Sequence, residues 1–184
     1  MGFKETKPEL LTDNPFKLIG SDWMLFTAGN LPAPGFNTMT ASWGGLGVLW
    51  ERRVATCYIR PTRHTFSYIE KATLFTLSFF DEKHRAALTY CGTHSGRDTD
   101  KVRGAGLTPA QEAGFVYFSE ARLVLACRKI YHQDIDPGRF LDPKIEGMYP
   151  QKDYHRMYIG EIVTCLVKGP VQGRDSSEPS GTSG

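Results

Sequence analysis

The chain has no Cys-x-x-Cys pair, no long basic run and no apolar stretch of membrane-spanning length. Its four cysteines are far apart in the sequence, which argues against a zinc ribbon or a dithiol redox motif and favours reduced, buried thiols. A formal charge of +2 over 184 residues predicts a protein that binds neither nucleic acid nor an anionic membrane. The lack of a membrane-spanning stretch and of a charged-then-apolar leader predicts a cytoplasmic protein.

The two common nucleotide-binding loops are also missing. No Gly-Lys-Ser or Gly-Lys-Thr sequence is present, which excludes a Walker-type P-loop. Gly45 and Gly47 are followed by Trp50 where a dinucleotide-binding fingerprint has its third glycine. Any bound phosphate must therefore be held by a different, local arrangement.

The most informative segment that is present is a strand with hydroxyl groups at alternate positions. In residues 37–43, Thr38, Thr40 and Ser42 alternate with apolar side chains, which is the period of a β-strand with one polar face. Buried hydroxyl groups need hydrogen-bond partners. This face therefore suits a ligand rich in acceptors or, if the segment is an edge strand, water.

A second segment, about twenty residues later, has the features of a phosphate site. Residues 54–60 predict a strand, and Thr65 is placed to cap a helix that begins near Phe66. Backbone N–H groups at a helix start are unpaired and attract anions, and Arg60 and Arg63 add charged donors beside them. The two segments together predict a site for a phosphate-bearing cofactor.

The rest of the pattern predicts a mainly β protein. Strands are expected at 23–27, 37–43, 54–60, 74–80, 121–131 and 154–167, helices at 66–72, 84–90 and 98–102, a flexible loop at 44–47 and a turn or half-helix at 109–114. Because the helices do not alternate strictly with the strands, the order favours an antiparallel barrel with peripheral helices over a doubly wound sheet. One domain is expected over residues 15–168, between a loose N-terminal segment (1–14) and a disordered tail (169–184).

Four motifs follow one another along residues 15–168: Asn37–Trp43, Ile59–Thr65, Ser95–Lys101 and Tyr154–Ile162. In this order they resemble the motif series of the flavin reductase-like family, in the flavoredoxin branch of the FMN-binding split barrels. The resemblance implies a split antiparallel β-barrel with peripheral α-helices. It also implies a homodimer that binds FMN near the subunit interface.

The resemblance also implies a set of cofactor-binding residues. Asn37, Thr38, Met39, Thr40, Ala41 and Ser42 would line the isoalloxazine ring and ribityl chain, and Cys57, Tyr58 and Ile59 would present backbone groups to the ring. Arg60, Arg63 and Thr65 would meet the phosphate, and Ser95, Arg97 and Lys101 would approach the ribityl-phosphate end. For the last segment, simple helix capping by Ser95 and Asp98 is the alternative.

His155 resembles the histidine of a Gly-Asp-His signature that lies beside the nicotinamide site in two-component flavin reductases. Asp153 and Tyr154 stand where that signature has Gly and Asp, which leaves room for a different electron donor. A histidine at a strand start on the barrel rim is the alternative interpretation. His84, His94 and His132 have no partners at metal-ligand spacing, so no metal site is expected.

Three functions remain open from the sequence. The first is an FMN-dependent oxidoreductase of flavin reductase type, which would take hydride from NADH or NADPH and pass electrons to a small molecule or a redox protein. The second is an FMN-binding electron carrier with little nicotinamide activity. The third is a cofactor-free ligand-binding barrel.

Overall fold

A computed structural model describes residues 2–169 of the chain, and within them ten strands are present. The strands are β1 (Phe3–Thr6), β2 (Met24–Gly29), β3 (Phe36–Ala41), β4 (Gly44–Leu49), β5 (Arg52–Ile59), β6 (Leu74–Phe79), β7 (Pro109–Glu112), β8 (Phe115–Phe118), β9 (Leu123–Asp134) and β10 (Arg156–Lys168). The predicted disordered tail lies, apart from Gly169, outside the described residues.

The helices are short and lie between the strands. They are α1 (Phe66–Lys71), α2 (Arg85–Thr93) and α3 (Lys101–Gly104), with one turn of π-helix at Lys17–Ser21 and 3-10 turns at Pro8–Leu10, Glu82–His84, Pro137–Arg139 and Pro143–Met148. Within residues 2–169, every helix is too short or too polar to cross a lipid bilayer.

Eight strands form one antiparallel sheet. Its order is β3-β2-β6-β9-β10-β5-β4, and β1 pairs with the C-terminal end of β10. β3 and β4 stand at opposite ends of this order, yet only Ser42 and Trp43 separate them in the chain. The sheet therefore curls until its two ends come together, and no strand pairing closes the gap between them in the described residues. The result is a split antiparallel β-barrel with peripheral helices, which confirms the predicted fold class.

Large apolar side chains fill the inside of the barrel. Phe26 stacks on Phe75 with 5.0 Å between ring centroids, and both rings are buried. Gly160 in β10 passes directly over the Phe75 ring, since a Cβ there would lie 2.5 Å from it. A second apolar layer, which includes Leu88 of α2, packs α2 against the outside of the sheet. This layer holds α2 beside β3, where the candidate site lies.

Two segments predicted as loop or turn are strands. Residues 44–47, predicted as a flexible loop, begin β4 and pair with β5. Their glycines allow a close approach of backbones, because a Cβ at Gly44 would lie 2.5 Å from the carbonyl oxygen of Thr56. Residues 109–114, predicted as a turn or half-helix, contain β7, which pairs with β8 in a separate two-stranded sheet. Pro109 is tolerated there because it begins an edge strand.

The N-terminal segment 1–14, predicted to be loose, contains a paired strand. β1 joins β10 through the register Phe3↔Lys168 to Thr6↔Cys165. Phe3 also contacts the ring of Tyr117, with 5.3 Å between centroids. One aromatic side chain among polar neighbours gave too weak a pattern for the sequence to indicate this strand.

Candidate functional site

The gap between β3 and β5 opens into a cleft with two lobes. The first, which we call the aromatic lobe, has a volume of about 250 Å³ and is lined by Met39, Thr40, Ala41, Ser42, Trp43, Tyr58, Arg60, Arg63 and His155. β4 pairs with β5 only as far as Gly44 and Cys57, so the next residue, Tyr58, borders the gap instead of a neighbouring strand. The aromatic lobe is a direct result of the split in the barrel.

The second lobe, which we call the cationic lobe, has a volume of about 200 Å³. It is lined by Thr62, Arg63, His64, Thr65, Gly92, Thr93, His94, Ser95, Arg97 and Lys101. The β5–α1 junction, the end of α2 and the segment before α3 meet here. Arg63 borders both lobes, so the structure brings Thr40 and Arg63 to one cleft.

Cations in the cationic lobe lack acidic partners. Among residues 2–169, Arg63, Arg97 and Lys101 form no salt bridge. Burial, with Arg63 as a further positive charge nearby, lowers the pKa of Lys101 to about 8, and burial also lowers the pKa of the Arg63 guanidinium. A desolvated cation without a counterion is unfavourable, and an anion bound between these side chains would relieve that cost.

The β5–α1 junction adds backbone donors to the same lobe. In the described part of the chain, the N–H groups of His64 and Thr65 have no hydrogen-bond acceptor, whereas Phe66 N–H donates to the carbonyl oxygen of Arg63 at 2.9 Å. Consecutive free N–H groups beside arginine and lysine suit a phosphate. The cleft as a whole therefore fits a molecule with a planar ring at one end and a phosphate at the other, as FMN has.

Asn37 connects the predicted motifs instead of lining the cleft. Its side chain is buried and its Nδ2 donates to Thr65 Oγ1 at 2.8 Å. A Cβ at Gly96 would lie 2.2 Å from Asn37 Oδ1, so glycine lets the segment before α3 pack against this amide. Contact of Asn37 with the ring or ribityl chain stays a prediction, and in this structure its side chain joins the walls of the cationic lobe.

Two of the three hydroxyl groups on the predicted polar face, those of Thr38 and Thr40, already have hydrogen-bond partners within the protein. Thr38 is fully buried, accepts a hydrogen bond from Thr27 Oγ1 at 2.9 Å and donates to the carbonyl oxygen of Phe26 at 3.1 Å. Thr40 donates to the carbonyl oxygen of Leu88 in α2 and still borders the cleft. The ligand contact predicted for Thr38 stays a prediction, and neighbouring β2 already supplies hydrogen-bond partners for this hydroxyl. Ser42, at the end of the face, is half-buried beside the cleft.

Two of the three β5 positions lie away from the cleft. Cys57 and Ile59 are fully buried in the core, and Cys57 is flanked by β4 on one side and β10 on the other. The backbone contact with a ring predicted for Cys57 stays a prediction, at a position that has a neighbouring strand on each side. Of this set, Tyr58 borders the aromatic lobe.

Arg60 borders the aromatic lobe, whereas Arg63 borders both lobes. Its Nη1 donates to Asp153 at 2.6 Å and its Nη2 donates to the carbonyl oxygen of Met148 at 2.9 Å. These contacts tie the β9–β10 loop to the end of β5. The phosphate contact predicted for Arg60 stays a prediction, and its charge is already paired with Asp153.

The predicted helix caps also differ. Thr65 makes no side-chain capping bond to α1, and its backbone is helical (φ −61°, ψ −22°) instead of extended as at a typical N-cap. Its hydroxyl accepts from Asn37 instead. α3 begins at Lys101, later than the Ser95–Asp98 spacing predicts, and Asp100 caps it by accepting from Arg103 N–H at 3.1 Å. Ser95 is left bordering the cationic lobe.

His155 borders the aromatic lobe at the rim of the barrel. It is only 8% exposed, and its ring lies 4.8 Å from the Trp43 ring between centroids. Burial, together with the positive charge of Arg60, lowers the pKa of His155 to about 4 against the opposing charge of Asp153. The imidazole is therefore neutral at physiological pH and can donate one hydrogen bond and accept one.

Sequence reasoning missed two contributors to the site. The C-terminal end of α2, Gly92–His94, borders the cationic lobe, and Gly92 carbonyl oxygen accepts from Arg63 Nη2 at 3.1 Å. Tyr149 contacts His155 from the β9–β10 loop. In the sequence, the only signal for the end of α2 was Gly92, a residue that often terminates a helix. No local sequence pattern indicated that Tyr149 contributes to the site.

A family model described as "Flavin reductase like domain" matches residues 17–175. No curated protein matches the chain significantly.

Several solved structures share the fold. The FMN-binding domain of a flavin reductases-like enzyme from Shewanella baltica is 16% identical, with a TM-score of 0.63 over 90% of this chain and 77% of that chain. Flavoredoxin of Desulfovibrio vulgaris is 20% identical, with a TM-score of 0.61 over 90% of this chain and 77% of that one. An NADH:FAD oxidoreductase from Streptomyces globisporus, solved with NAD and FAD fragments, is 14% identical, with a TM-score of 0.59 over 80% and 74%.

Proposed function

The chain belongs to the flavin reductase-like family, and we propose that it is an FMN-dependent oxidoreductase that uses NADH or NADPH as its hydride donor. One observation supports this proposal above the others. A lobe with unpaired cations and a lobe walled by aromatic side chains meet at Arg63 in a single cleft. FMN has the matching shape and charge, with a dianionic phosphate at one end and a planar ring at the other.

The residues of the cationic lobe would hold the phosphate. Arg63 and Lys101 supply positive charge that no acidic side chain among residues 2–169 neutralises, and His64 and Thr65 supply backbone N–H donors. Such charge-assisted hydrogen bonds are about twice as strong as neutral ones. When bound, FMN supplies the redox chemistry, since its ring accepts a hydride and releases electrons singly or in pairs.

The residues of the aromatic lobe would position the reacting rings. Tyr58 and Trp43 form walls of this lobe, and His155 lies beside Trp43 as a neutral side chain. A neutral wall excludes water without adding a charge that would repel a nicotinamide cation after hydride release. Holding two rings in contact is the main contribution that the protein makes to a hydride transfer.

Rapid mixing with a reduced nicotinamide tests this activity. The full-length protein, loaded with FMN and freed of excess by desalting, should stay yellow, and anaerobic mixing with NADH or NADPH should bleach the flavin band within seconds. Free FMN at the same concentration is the control for uncatalysed reduction. A protein that takes up no FMN would contradict the proposal and leave a cofactor-free ligand-binding barrel.

An FMN-binding electron carrier is the second candidate. Asp153 and Tyr154 stand where the nicotinamide-binding signature has Gly and Asp, and Asp153 is engaged by Arg60 and Thr62. A flavoredoxin is among the structural neighbours. Slow bleaching by NADH and NADPH, with fast reduction by dithionite, would favour this function over the reductase.

We also propose that the protein works as a homodimer with the cleft near the interface. The β4–β5 hairpin exposes Val48 (75%) and Trp50 (56%), and Trp50 lies beside the exposed Tyr131 with 6.0 Å between ring centroids. Exposed apolar side chains gathered in this way are typical of an interface. A groove of about 420 Å³ between Phe16 and Ser42–Leu46 connects this hairpin to the cleft.

Trp50→Asn should convert the dimer to a monomer in sedimentation velocity. Trp50 has φ of 51°, in the left-handed region that asparagine tolerates well, so the hairpin keeps its turn and loses only apolar surface. Leu141→Asn, at a 99% exposed position on the β9–β10 loop, is the matched control and should leave the dimer intact. A wild-type protein that sediments as a monomer at micromolar concentration would contradict this proposal.

A further inference from the structure

His155 is held by aromatic side chains on two sides. Trp43 lies against its ring at 4.8 Å between centroids, and Tyr149 approaches edge-on at 5.5 Å. Tyr149 Oη lies 3.0 Å from His155 Nδ1, and both residues are buried. The orientation of the imidazole is therefore fixed by contacts that include one specific hydrogen bond.

Tyr149 itself is held in place by the end of β5. It follows the helical turn Pro143–Met148 in the β9–β10 loop, and the Arg60 guanidinium lies over its ring at 4.8 Å from the centroid. The same guanidinium binds Met148 and Asp153 on either side of Tyr149 in sequence. The hydroxyl group of Tyr149 is thus presented to His155 by a tethered loop.

The direction of the hydrogen bond follows from the chemistry of the two groups. A phenol O–H is a stronger acid than a neutral imidazole N–H, and an imidazole nitrogen is a stronger base than a phenol oxygen. Tyr149 O–H therefore donates to His155 Nδ1.

The remaining ring nitrogen of His155 faces the cleft. Because Nδ1 accepts and the imidazole is neutral, the single imidazole proton must be on Nε2. Within the described residues, Nε2 has no hydrogen-bond partner, yet it is not among the buried side-chain atoms that lack one. It is therefore accessible, and the accessible space beside His155 is the aromatic lobe.

We propose that Tyr149 is a positioning residue that locks His155 in the Nε2–H tautomer, so that His155 donates a hydrogen bond to a carbonyl or amide oxygen of a ring bound in the aromatic lobe. This role rests on the proposed function for the identity of that ring. The tautomer itself is a property of the protein alone. A fixed donor of this kind orients a planar acceptor and selects against a ring that presents an N–H or an ammonium group at the same place.

The tautomer can be measured directly in the full-length protein without added ligand. Long-range ¹H–¹⁵N correlation of ¹⁵N-histidine-labelled protein at pH 7 should show His155 with a protonated Nε2 and an unprotonated Nδ1. Tyr149→Phe, which keeps the ring and removes the hydroxyl, should give a mixture of the two tautomers. Tyr154 is on the same loop, but its hydroxyl donates to Glu146. Tyr154→Phe is therefore the control and should leave the His155 signals unchanged.

The consequence for turnover is measured separately. In FMN-loaded protein, Tyr149→Phe should slow flavin reduction by NADH or NADPH about fivefold, the effect of losing one neutral hydrogen bond, with little change in FMN affinity. A protonated Nδ1 in the wild type, or tautomers unaffected by Tyr149→Phe, would overturn the proposal whatever the activity. If Tyr149→Phe does not fold, a through-bond correlation between the Tyr149 hydroxyl proton and His155 Nδ1 in the wild type decides the direction. The two proposals can fail separately. If His155 is the Nε2–H tautomer but the protein does not bind FMN, the proposed function is contradicted while the positioning role of Tyr149 is retained.

Discussion

Arg63→Ala should weaken FMN binding by about 1.5–3 kcal/mol, or roughly 10- to 150-fold in Kd. Arg63 borders both lobes of the cleft, and its guanidinium is oriented by the carbonyl oxygen of Gly92 at 3.1 Å. Because it is desolvated and has no acidic partner in the described part of the chain, its charge is available to a phosphate. Quenching of FMN fluorescence on titration measures the affinity.

Two comparisons make this result specific to the phosphate. Riboflavin has the same ring and no phosphate, so Arg63→Ala should change riboflavin affinity much less than FMN affinity. Arg103→Ala removes the same net charge from an exposed position in α3, and it should leave FMN affinity within about twofold of the wild type, as expected for a screened surface charge. Equal losses for FMN and riboflavin would show that Arg63 does not contact the phosphate.

FMN affinity should fall about tenfold between pH 7 and pH 9 through the deprotonation of Lys101. Burial lowers the pKa of Lys101 to about 8, so the free protein loses this charge over that interval, while a bound phosphate dianion would keep the amine protonated. Lys101→Met keeps the bulk of the side chain and should bind FMN weakly with a flat pH dependence. Lys71→Met, at an exposed position outside both lobes, should keep the wild-type profile.

The stability of the FMN-free protein should change in the opposite direction. Since the pKa of Lys101 is lower in the folded state than its ordinary value of 10.5, the unfolded chain binds more protons between about pH 8 and pH 10.5. The contribution of Lys101 to the free energy of unfolding therefore rises with pH over this window, and denaturant titrations of the wild type and Lys101→Met should show the difference. A Lys101 contribution that falls with pH would show that the amine already has a counterion.

Local pattern was enough to predict most of the barrel, because alternation is preserved wherever one face of a strand is buried. β6 was predicted from a segment dense in aromatic and β-type residues, and β9 from a long alternating pattern. β4 was not predicted. Gly44 is required there because the backbone comes close to Thr56 on another strand, and the sequence does not show that contact. Its glycines gave the composition of a loop, and only the pairing with β5 makes the segment a strand.

The candidate site was also predicted only in part from local sequence patterns. The motif residues Arg63, Thr65, Ser95, Arg97 and Lys101 do meet in one lobe. Other predicted site positions have hydrogen-bond partners on different elements of the fold. Thr38 is paired with Thr27 across β2, and Arg60 is paired with Asp153, 93 residues away. A sequence alone does not show that these partners exist.

The pairing of Arg60 with Asp153 gives the cleft a polarity. Positive potential is concentrated around Arg63, Arg97 and Lys101, and the other end is close to electrically neutral. A phosphorylated molecule diffusing toward the surface would be rotated by this field before contact, with its anionic tail leading. Electrostatics would then set the order of binding: the anionic tail would be captured first, and the ring would afterwards enter a space that attracts it by shape and not by charge.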